Sequence, residues 1–222
     1  MNPQKKDLVE SLKQKGFPNE ILRAFSEIKR EDFIPKDLRK YAYEDTALPI
    51  GQNQTISQPY TIAVMLSLLE LKRGEIKNSS THSPKSQMKG QKILEIGSGC
   101  GYVLALLSKI VGVKGKVFGI EIIKKLFEKS KKNIKEFKNV KIYNKNGFFG
   151  LKEKSPFDAI LISAAIEKIP KLLVKQLKNN GIIVSPVGGK YEQSITSFKK
   201  IKGKLKIKKE IPGFVFVPFV KN

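Results

Sequence analysis

The chain has 222 residues, a length that suits one sizeable domain, and its 40% hydrophobic residues are enough to form a core. No apolar run approaches the length of a membrane span, and no apolar signal-peptide core follows the basic residues near the N-terminus. The single cysteine, Cys100, excludes an internal disulfide and provides no metal cluster by itself. We therefore expect a cytoplasmic protein with no membrane partner and no metal site. A monomer is a separate expectation, which these features do not establish.

The net charge of +23 raises the question of nucleic-acid binding, because a basic face is typical of proteins that contact phosphates. Only four of the 43 basic residues are arginine, and the lysines are spread over most of the chain. Arginine is the preferred bidentate partner of phosphates and guanine edges. A solvated basic surface is therefore favoured over a dedicated nucleic-acid site.

The first part of the chain is predicted to form helices. Asn2 and Pro3 are typical of a helix start, and Gly16 of a helix end. A second helix is predicted after Pro18, where apolar residues recur at helical spacing: Ile21, Leu22, Phe25 and Ile28. The run TIAVMLSLLEL from Thr61 predicts a third, buried helix. Residues 75–90 lack periodicity and predict a flexible insertion, in which His82 is expected to be exposed and without a catalytic role.

Beyond Gly90, predicted strands and helices alternate. The strands are KILEIG, KVFGIE, VKIYN, FDAILIS and IIVSPVG, and the helices are YVLALLSKIVG, KKLFEKSKKNIKEF and IPKLLVKQLKNNG, which Gly181 is predicted to close. The last stretch, SITSFKKIKGKLKIKKEI, predicts an antiparallel hairpin around Gly203. This order predicts an α/β fold with a mostly parallel sheet, an antiparallel hairpin at its edge and an N-terminal helical segment.

The stretch ILEIGSGCGY leads from a strand through Gly97, Gly99 and Gly101 into a helix. Glycines there allow a sharp turn and the close approach of a ligand, although such turns also have purely structural uses. The spacing GxGxG differs from the GxGxxG of dinucleotide binders. Glu121 ends the next strand, where an acidic residue can accept hydrogen bonds from both ribose hydroxyls. Together these residues favour an adenosine ligand and match the pattern of class I methyltransferases that use S-adenosylmethionine.

Two further sites have two interpretations each. Asn146, before Gly147, could pair with an adenine edge, or the Asn-Gly pair could simply form a turn. Ser57 lies in the uncharged stretch GQNQTISQPY, at or near the start of the third helix. A helix N-terminus together with a hydroxyl suits a carboxylate, but plain N-capping by Ser57 is slightly favoured on local sequence alone.

The segment ALPIGQNQTISQPYTIA resembles the signature of the protein-L-isoaspartate O-methyltransferases. Further segments are similar to that family in the same order, from about residue 24 to residue 220: AFSEIKREDFIP, ILEIGSGCGY, SPFDAILISAA, NGIIVSPVGG and FVPF. The resemblance implies a Rossmann-like doubly wound fold and a repair enzyme. Such an enzyme methylates the free α-carboxylate of L-isoaspartyl residues in aged proteins and peptides, and S-adenosylmethionine becomes S-adenosylhomocysteine. The ester then loses methanol without the enzyme, and the resulting succinimide partly hydrolyses to aspartate.

The resemblance also implies residue roles. Ser57 corresponds to the active-site serine of the family, and we expect it to hold and orient the substrate carboxylate. That carboxylate is ionised at neutral pH, so no general base is needed. The implied substrate contacts are Gln54, Thr55, Ile56 and Tyr60. The implied cofactor contacts are Glu95, Gly97, Ser98, Gly99, Gly101, Glu121, Asn146 and Gly147.

The chain is predicted to be one methyltransferase domain, 1–222. Residues 1–60 form its helical, substrate-binding segment, 75–90 its insertion, and 91–222 its cofactor-binding core. The family usually has aspartate at position 146, and a small hydroxyl residue where this chain has Cys100, whereas an insertion at 75–90 is not typical. We expect the insertion to lie away from the carboxyl ends of the strands and to be tolerated.

Two alternatives remain open. The basic charge motivates an RNA methyltransferase of the same fold, although the chain has no NPPY-type motif for clamping a base. The asparagine at position 146 motivates a non-catalytic module that binds isoaspartyl or C-terminal carboxylates.

Overall fold

The computed structural model describes residues 2–71 and 90–220. Apart from Gly90, the predicted insertion at 75–90 therefore lies outside the described residues, as does His82. None of the helices in the described ranges combines the length and the apolar character needed to cross a lipid bilayer.

The described residues contain both short helices and strands of very different length. The helices are α1 (Pro3–Gln14), α2 (Asn19–Glu27), α3 (Pro59–Leu68), α4 (Tyr102–Val111), α5 (Lys124–Asn133) and α6 (Lys171–Gln176). The strands are β1 (Leu48–Gly51), β2 (Gln54–Ile56), β3 (Lys92–Ile96), β4 (Lys116–Glu121), β5 (Val140–Asn144), β6 (Phe157–Ile162), β7 (Leu177–Gly188), β8 (Gln193–Ile201) and β9 (Lys204–Phe214).

The seven strands β3 to β9 form one sheet in the spatial order β5-β4-β3-β6-β7-β8-β9. Neighbouring strands from β5 to β7 are parallel, whereas β8 is antiparallel to both β7 and β9. This confirms the predicted sheet with a C-terminal hairpin at its edge. The chain enters at β3, moves outward to β5 and returns to β6 on the other side. The carboxyl ends of β3 and β6 therefore border a topological switch point, where α/β sheets bind ligands.

Side chains alternate between the two faces of this sheet, and both faces are covered. Ile93 of β3 belongs to the larger core, which contains apolar residues of α1 to α5. Leu94 and Ile96 point to the opposite face, into a smaller core that includes Leu173 of α6. Because side chains alternate along a strand, Glu95 points to the same face as Ile93. A carboxyl group is thus carried into the larger core.

The hairpin of β1 and β2 is not evident from the sequence, because its strands are only four and three residues long. They pair antiparallel across Gln52 and Asn53, which have φ angles of 57° and 56°. Positive φ at both central residues is characteristic of a type I′ turn, which matches the twist of a hairpin. The hairpin leads directly into α3 and brings the predicted signature segment to the sheet.

The prediction of a helix that extends to Gly181 is wrong for the second half of that stretch. Helix α6 ends at Gln176, and Leu177 begins β7 in an extended conformation. Leu177 is buried and pairs with Phe157 of β6, and Lys178 forms an ion pair of 2.6 Å with Asp158. Pairing with β6 therefore overrides the local helical pattern. The helix predicted over 124–137 likewise ends early, at Asn133, where the buried Ile134 begins the turn towards β5.

Strand β9 is the outermost strand at one edge of the sheet and pairs only with β8. Its side chains are mostly exposed, and four of them are lysines: Lys204, Lys206, Lys208 and Lys209. The open edge of the sheet therefore carries a row of positive charge.

Candidate active site

Two adjoining clefts lie at the carboxyl ends of β3, β4 and β6, under the β1–β2 hairpin. The Ser57 cleft, of about 490 Å³, is lined by Ser57, Glu95, Ser98 and Cys100 among others. The Glu121 cleft, of about 650 Å³, is lined by Glu121, Gly147 and residues 217–220 among others. Residues common to both clefts include Ile50, Thr55, Gly97, Gly99 and Ser163. The two clefts therefore meet at the glycine turn.

The glycine turn requires glycine for two different reasons. Gly97 and Gly101 have φ angles of 80° and 87°, in the left-handed region that other residues rarely adopt. A Cβ on Gly101 would lie 2.5 Å from Ser130 Oγ, so this position allows α5 to pack closely. A Cβ on Gly97 would have no neighbour closer than 3.9 Å. Its missing side chain instead leaves space where the two clefts meet.

Glu121 is buried and held at both of its oxygens. Oε2 accepts a hydrogen bond from the Gly99 amide at 2.8 Å, and Oε1 accepts one from the Ile123 amide at 2.9 Å. Each carboxylate oxygen has two lone pairs, so each can accept one further hydrogen bond. The carboxylate of Glu121 is thus fixed against the glycine turn and suited to a pair of ribose hydroxyls.

Glu95 is buried in the Ser57 cleft, where Ser163 Oγ donates a hydrogen bond to its Oε1 at 3.0 Å. Its Oε2 has no hydrogen-bond partner among the residues that the structure describes. Burial raises the pKa of Glu95 to about 8, the charge of Glu121 adds to this increase, and the Ser163 hydrogen bond opposes it. An unpartnered buried carboxyl oxygen suits a cation, so the ammonium group of S-adenosylmethionine fits the residues present.

The raised pKa makes the stability of the cofactor-free protein depend on pH. The ordinary pKa of this group is 4.5, so the folded state retains a proton between pH 4.5 and about 8 that the unfolded state has lost. The stabilisation is complete below pH 4.5 and disappears as the pH rises through 8. Relative to Glu95→Gln, we expect the wild type to lose on the order of 4 kcal/mol of unfolding free energy between pH 5 and pH 9. Urea unfolding of both proteins over this range measures the difference; a pH-independent difference would contradict the assignment.

Asn146 has a structural role in addition to any contact with the cofactor. Its Oδ1 accepts a hydrogen bond from the Phe148 amide at 2.8 Å, which caps the short 3₁₀ helix Gly147–Phe149. This is the turn that the Asn-Gly pair indicates. The neighbouring Gly147 lines the Glu121 cleft, and a Cβ there would lie 2.2 Å from Ile96 Cγ2. Contact of the Asn146 amide with adenine remains a prediction.

Plain N-capping does not explain Ser57. The N-cap residue of α3 is Gln58, and the half-buried Ser57 lies one position earlier, against the Ser57 cleft. Within the described residues the Ser57 hydroxyl makes no hydrogen bond. The start of α3 is also less open to a ligand than predicted, because Pro59 has no N–H and the Tyr60 amide donates to Asp45 Oδ1 at 2.7 Å. The free hydroxyl of Ser57 can therefore receive a carboxylate, and the hydroxyl of Thr55, which lines the same cleft, also makes no hydrogen bond in the described residues.

The other predicted substrate residues are divided between the clefts. Thr55 and Ile56 line the Ser57 cleft with Ser57, and Gln54 and Thr55 line the Glu121 cleft. Tyr60 lines neither cleft. Its ring instead packs edge-on against Phe17, with a centroid separation of 5.8 Å.

Sequence patterns alone do not reveal several residues of this site. Ser163 ends the predicted strand FDAILIS, and the rule that ligands bind at strand ends could have identified it. Residues 217–220 border the Glu121 cleft because the amides of Ala165 and Phe219 form hydrogen bonds of 2.8 Å with the carbonyls of Val217 and Ala165. Arg30 reaches Ser57 from the N-terminal segment, where its local sequence gives no indication of the contact.

Comparisons with known proteins agree with this geometry. The family model described as protein-L-isoaspartate(D-aspartate) O-methyltransferase matches residues 3–78 and 84–222. A protein-L-isoaspartate O-methyltransferase of Petrotoga mobilis is 39% identical over 214 residues, which cover 94% of this chain and 91% of the relative. One of Methanococcoides burtonii is 34% identical over 215 residues, covering 96% of this chain and 98% of the relative.

Solved structures show the same relation. A protein-L-isoaspartate O-methyltransferase with 30% identity has a TM-score of 0.81 and covers 96% of this chain and 65% of its own. A Plasmodium falciparum structure in complex with S-adenosyl-L-homocysteine, described under the same enzyme name, also has a TM-score of 0.81. It is 26% identical, and the match covers all of both chains. The chain therefore belongs to the protein-L-isoaspartate(D-aspartate) O-methyltransferase family.

Proposed function

We propose that this chain transfers a methyl group from S-adenosylmethionine to the free α-carboxylate of L-isoaspartyl residues in damaged proteins and peptides. Membership of the family supports both the reaction and the cofactor. The observation that carries the proposal is the unbonded hydroxyl of Ser57, which borders the same cleft as Glu95 and the glycine turn. A substrate group held at Ser57 is thus next to the place where the cofactor fits.

The residues that hold the cofactor are assigned from the groups left available in the clefts. Glu121 accepts hydrogen bonds from the ribose hydroxyls, and the free Oε2 of Glu95 receives the ammonium group. Gly97, Ser98 and Gly99 line the space for the methionine part, and Gly147, which follows Asn146 in the chain, lines the adenine side.

Methyl transfer to an ionised carboxylate requires the reacting groups to be positioned and needs no general acid or base. S-adenosylmethionine supplies a methyl group on a positively charged sulfur, which is an activated leaving group. Ser57 donates its hydroxyl proton in a hydrogen bond to one carboxylate oxygen and so orients the other towards the methyl group. Holding reacting groups in line contributes a large part of the rate in such a reaction. Thr55 and Ile56 border the same cleft.

The partners follow from the same site. We infer that isoaspartyl proteins and peptides are the substrates, that the protein is a cytoplasmic monomer, and that nucleic acid is not a partner. The predominance of lysine over arginine supports the last point, since bidentate readers of phosphate use arginine.

A pair of peptides that differ only in aspartate versus isoaspartate tests the proposal. With labelled S-adenosylmethionine, we expect labelling of the isoaspartyl peptide alone. Equal labelling of both peptides, or labelling of transfer RNA in a parallel assay, would contradict it. The absence of measurable S-adenosylmethionine binding in calorimetry would instead favour a non-catalytic binding module.

A further inference from the structure

Arg30 is the largest of the fully buried side chains in the described part of the chain, and it lies in the 3₁₀ turn Arg30–Asp32. Its guanidinium joins two separate segments through main-chain carbonyls. Three of its hydrogen bonds reach the segment before β1, and the fourth reaches Ser57: Ala42 O at 3.0 Å, Glu44 O at 3.2 Å, Thr46 O at 3.0 Å and Ser57 O at 3.1 Å.

This arrangement is unusual for a buried charge. Within the described residues no carboxylate lies within ion-pair distance of Arg30, and its Nε has no hydrogen-bond partner. Burial is the main cause that lowers the pKa of Arg30. A buried cation is costly unless its donors are satisfied, and here neutral carbonyls satisfy four of them. A planar fork of five donors is the side chain that can reach carbonyls of both segments at once.

The segment before β1 also forms a hydrogen bond with the residues that follow Ser57. Asp45, between two of the carbonyls that Arg30 contacts, accepts the hydrogen bond from the Tyr60 amide. The main chain at Ser57 is thus held on two sides. Arg30 binds the Ser57 carbonyl, and Asp45 binds the Tyr60 amide at the start of α3. The Ser57 hydroxyl has no hydrogen bond of its own in the described residues, so these main-chain contacts are what fixes the Cα–Cβ bond that carries it.

We propose that Arg30 is a positioning residue for methyl transfer: its guanidinium fixes the Ser57 main chain and thereby places the hydroxyl against the substrate carboxylate. The inference rests on the role proposed for Ser57. It assigns to Arg30 no contact with the substrate or the cofactor, and it therefore differs from the roles given to Glu95 and Glu121.

A double-mutant cycle tests whether Arg30 acts through the Ser57 hydroxyl. Ser57→Ala removes the hydroxyl but retains the carbonyl, so the contribution of Arg30 to the fold is unchanged. In the presence of Ser57, we expect Arg30→Lys to lower kcat/KM for the isoaspartyl peptide by roughly 10- to 100-fold, since a misplaced positioning group has effects of this size. In the Ser57→Ala background, the same change should cost less than about 3-fold. The affinity for S-adenosylhomocysteine, measured by calorimetry, should stay within about 3-fold of wild type in every variant.

Each outcome of the double-mutant cycle either supports or overturns the positioning role of Arg30. An equal loss in both backgrounds, or a loss of cofactor affinity parallel to the loss of activity, would reduce Arg30 to a structural residue and overturn the proposal. Full activity of Arg30→Lys would overturn it as well. If Ser57→Ala alone keeps full activity, the role of Ser57 fails, whatever Arg30 does. Should Arg30→Lys not fold, as judged by circular dichroism, Arg30→Gln replaces it in the same cycle. The exposed Arg39, changed to lysine, is the matched control.

Discussion

Replacing Ser57 by alanine should lower kcat/KM for an isoaspartyl peptide by about 100- to 1,000-fold, the range seen when one preorganised hydrogen-bond donor is removed from an active site. The hydroxyl belongs to a residue that lines the Ser57 cleft, and it makes no hydrogen bond in the described residues. Its loss leaves the carboxylate free to rotate, so the effect should fall on transfer. The affinity for S-adenosylhomocysteine should hardly change, because Glu95 and Glu121 remain in place.

Ser67→Ala is the control for this substitution. Ser67 lies near the end of α3, whereas Ser57 precedes the helix. The Ser67 hydroxyl donates to the Val64 carbonyl at 2.8 Å, and Ser67 lines neither cleft. It should keep wild-type kcat/KM. If Ser57→Ala weakened cofactor binding as much as it slowed transfer, Ser57 would be part of the fold rather than of the reaction.

Replacing Glu121 by glutamine should raise the Kd for S-adenosylhomocysteine by roughly 100-fold, because hydrogen bonds to a charged group are worth about 1.5–3 kcal/mol each. A glutamine has one acceptor oxygen, whereas two backbone amides and the ribose hydroxyls need both oxygens of Glu121. The amide nitrogen of glutamine would face the N–H of either Gly99 or Ile123. Calorimetric titration measures the change, and kcat at saturating cofactor should recover most of the wild-type value.

Glu128→Gln makes the same change of charge on the exposed side of α5 and should leave the Kd unchanged. A Glu121→Gln protein that binds S-adenosylhomocysteine as tightly as this control would show that the ribose lies elsewhere.

The parts of the fold that could be predicted are those with a strong local pattern. Strand β3 and helix α4 consist mostly of buried residues, and the turn between them contains glycines with positive φ. The local sequence is therefore sufficient to predict this strand, turn and helix. The hairpin of β1 and β2 is too short to give a periodic signal. The change from α6 to β7 at Leu177 depends on pairing with Phe157, twenty residues earlier, which no local window contains.

The same distinction applies to the site. Glu121 and the glycines are found from spacing, because neighbouring parallel strands bring their carboxyl ends together. The environment of Ser57 is not local. It depends on Arg30, 27 residues away, and on Asp45, and hydrogen bonds over such distances leave no regular spacing. For this reason the local pattern favours a cap, whereas the structure shows a hydroxyl turned to a cleft.

The lysines of β9 affect how the enzyme can interact with partly unfolded substrate proteins. Aged proteins are often partly unfolded, and an exposed strand of one chain readily adds to the open edge of another sheet. Four lysines on the outermost strand make that addition unfavourable, because the charges would have to be brought against a second chain and partly dehydrated. The row of charge at this edge thus disfavours strand addition by the partly unfolded molecules that such an enzyme repairs.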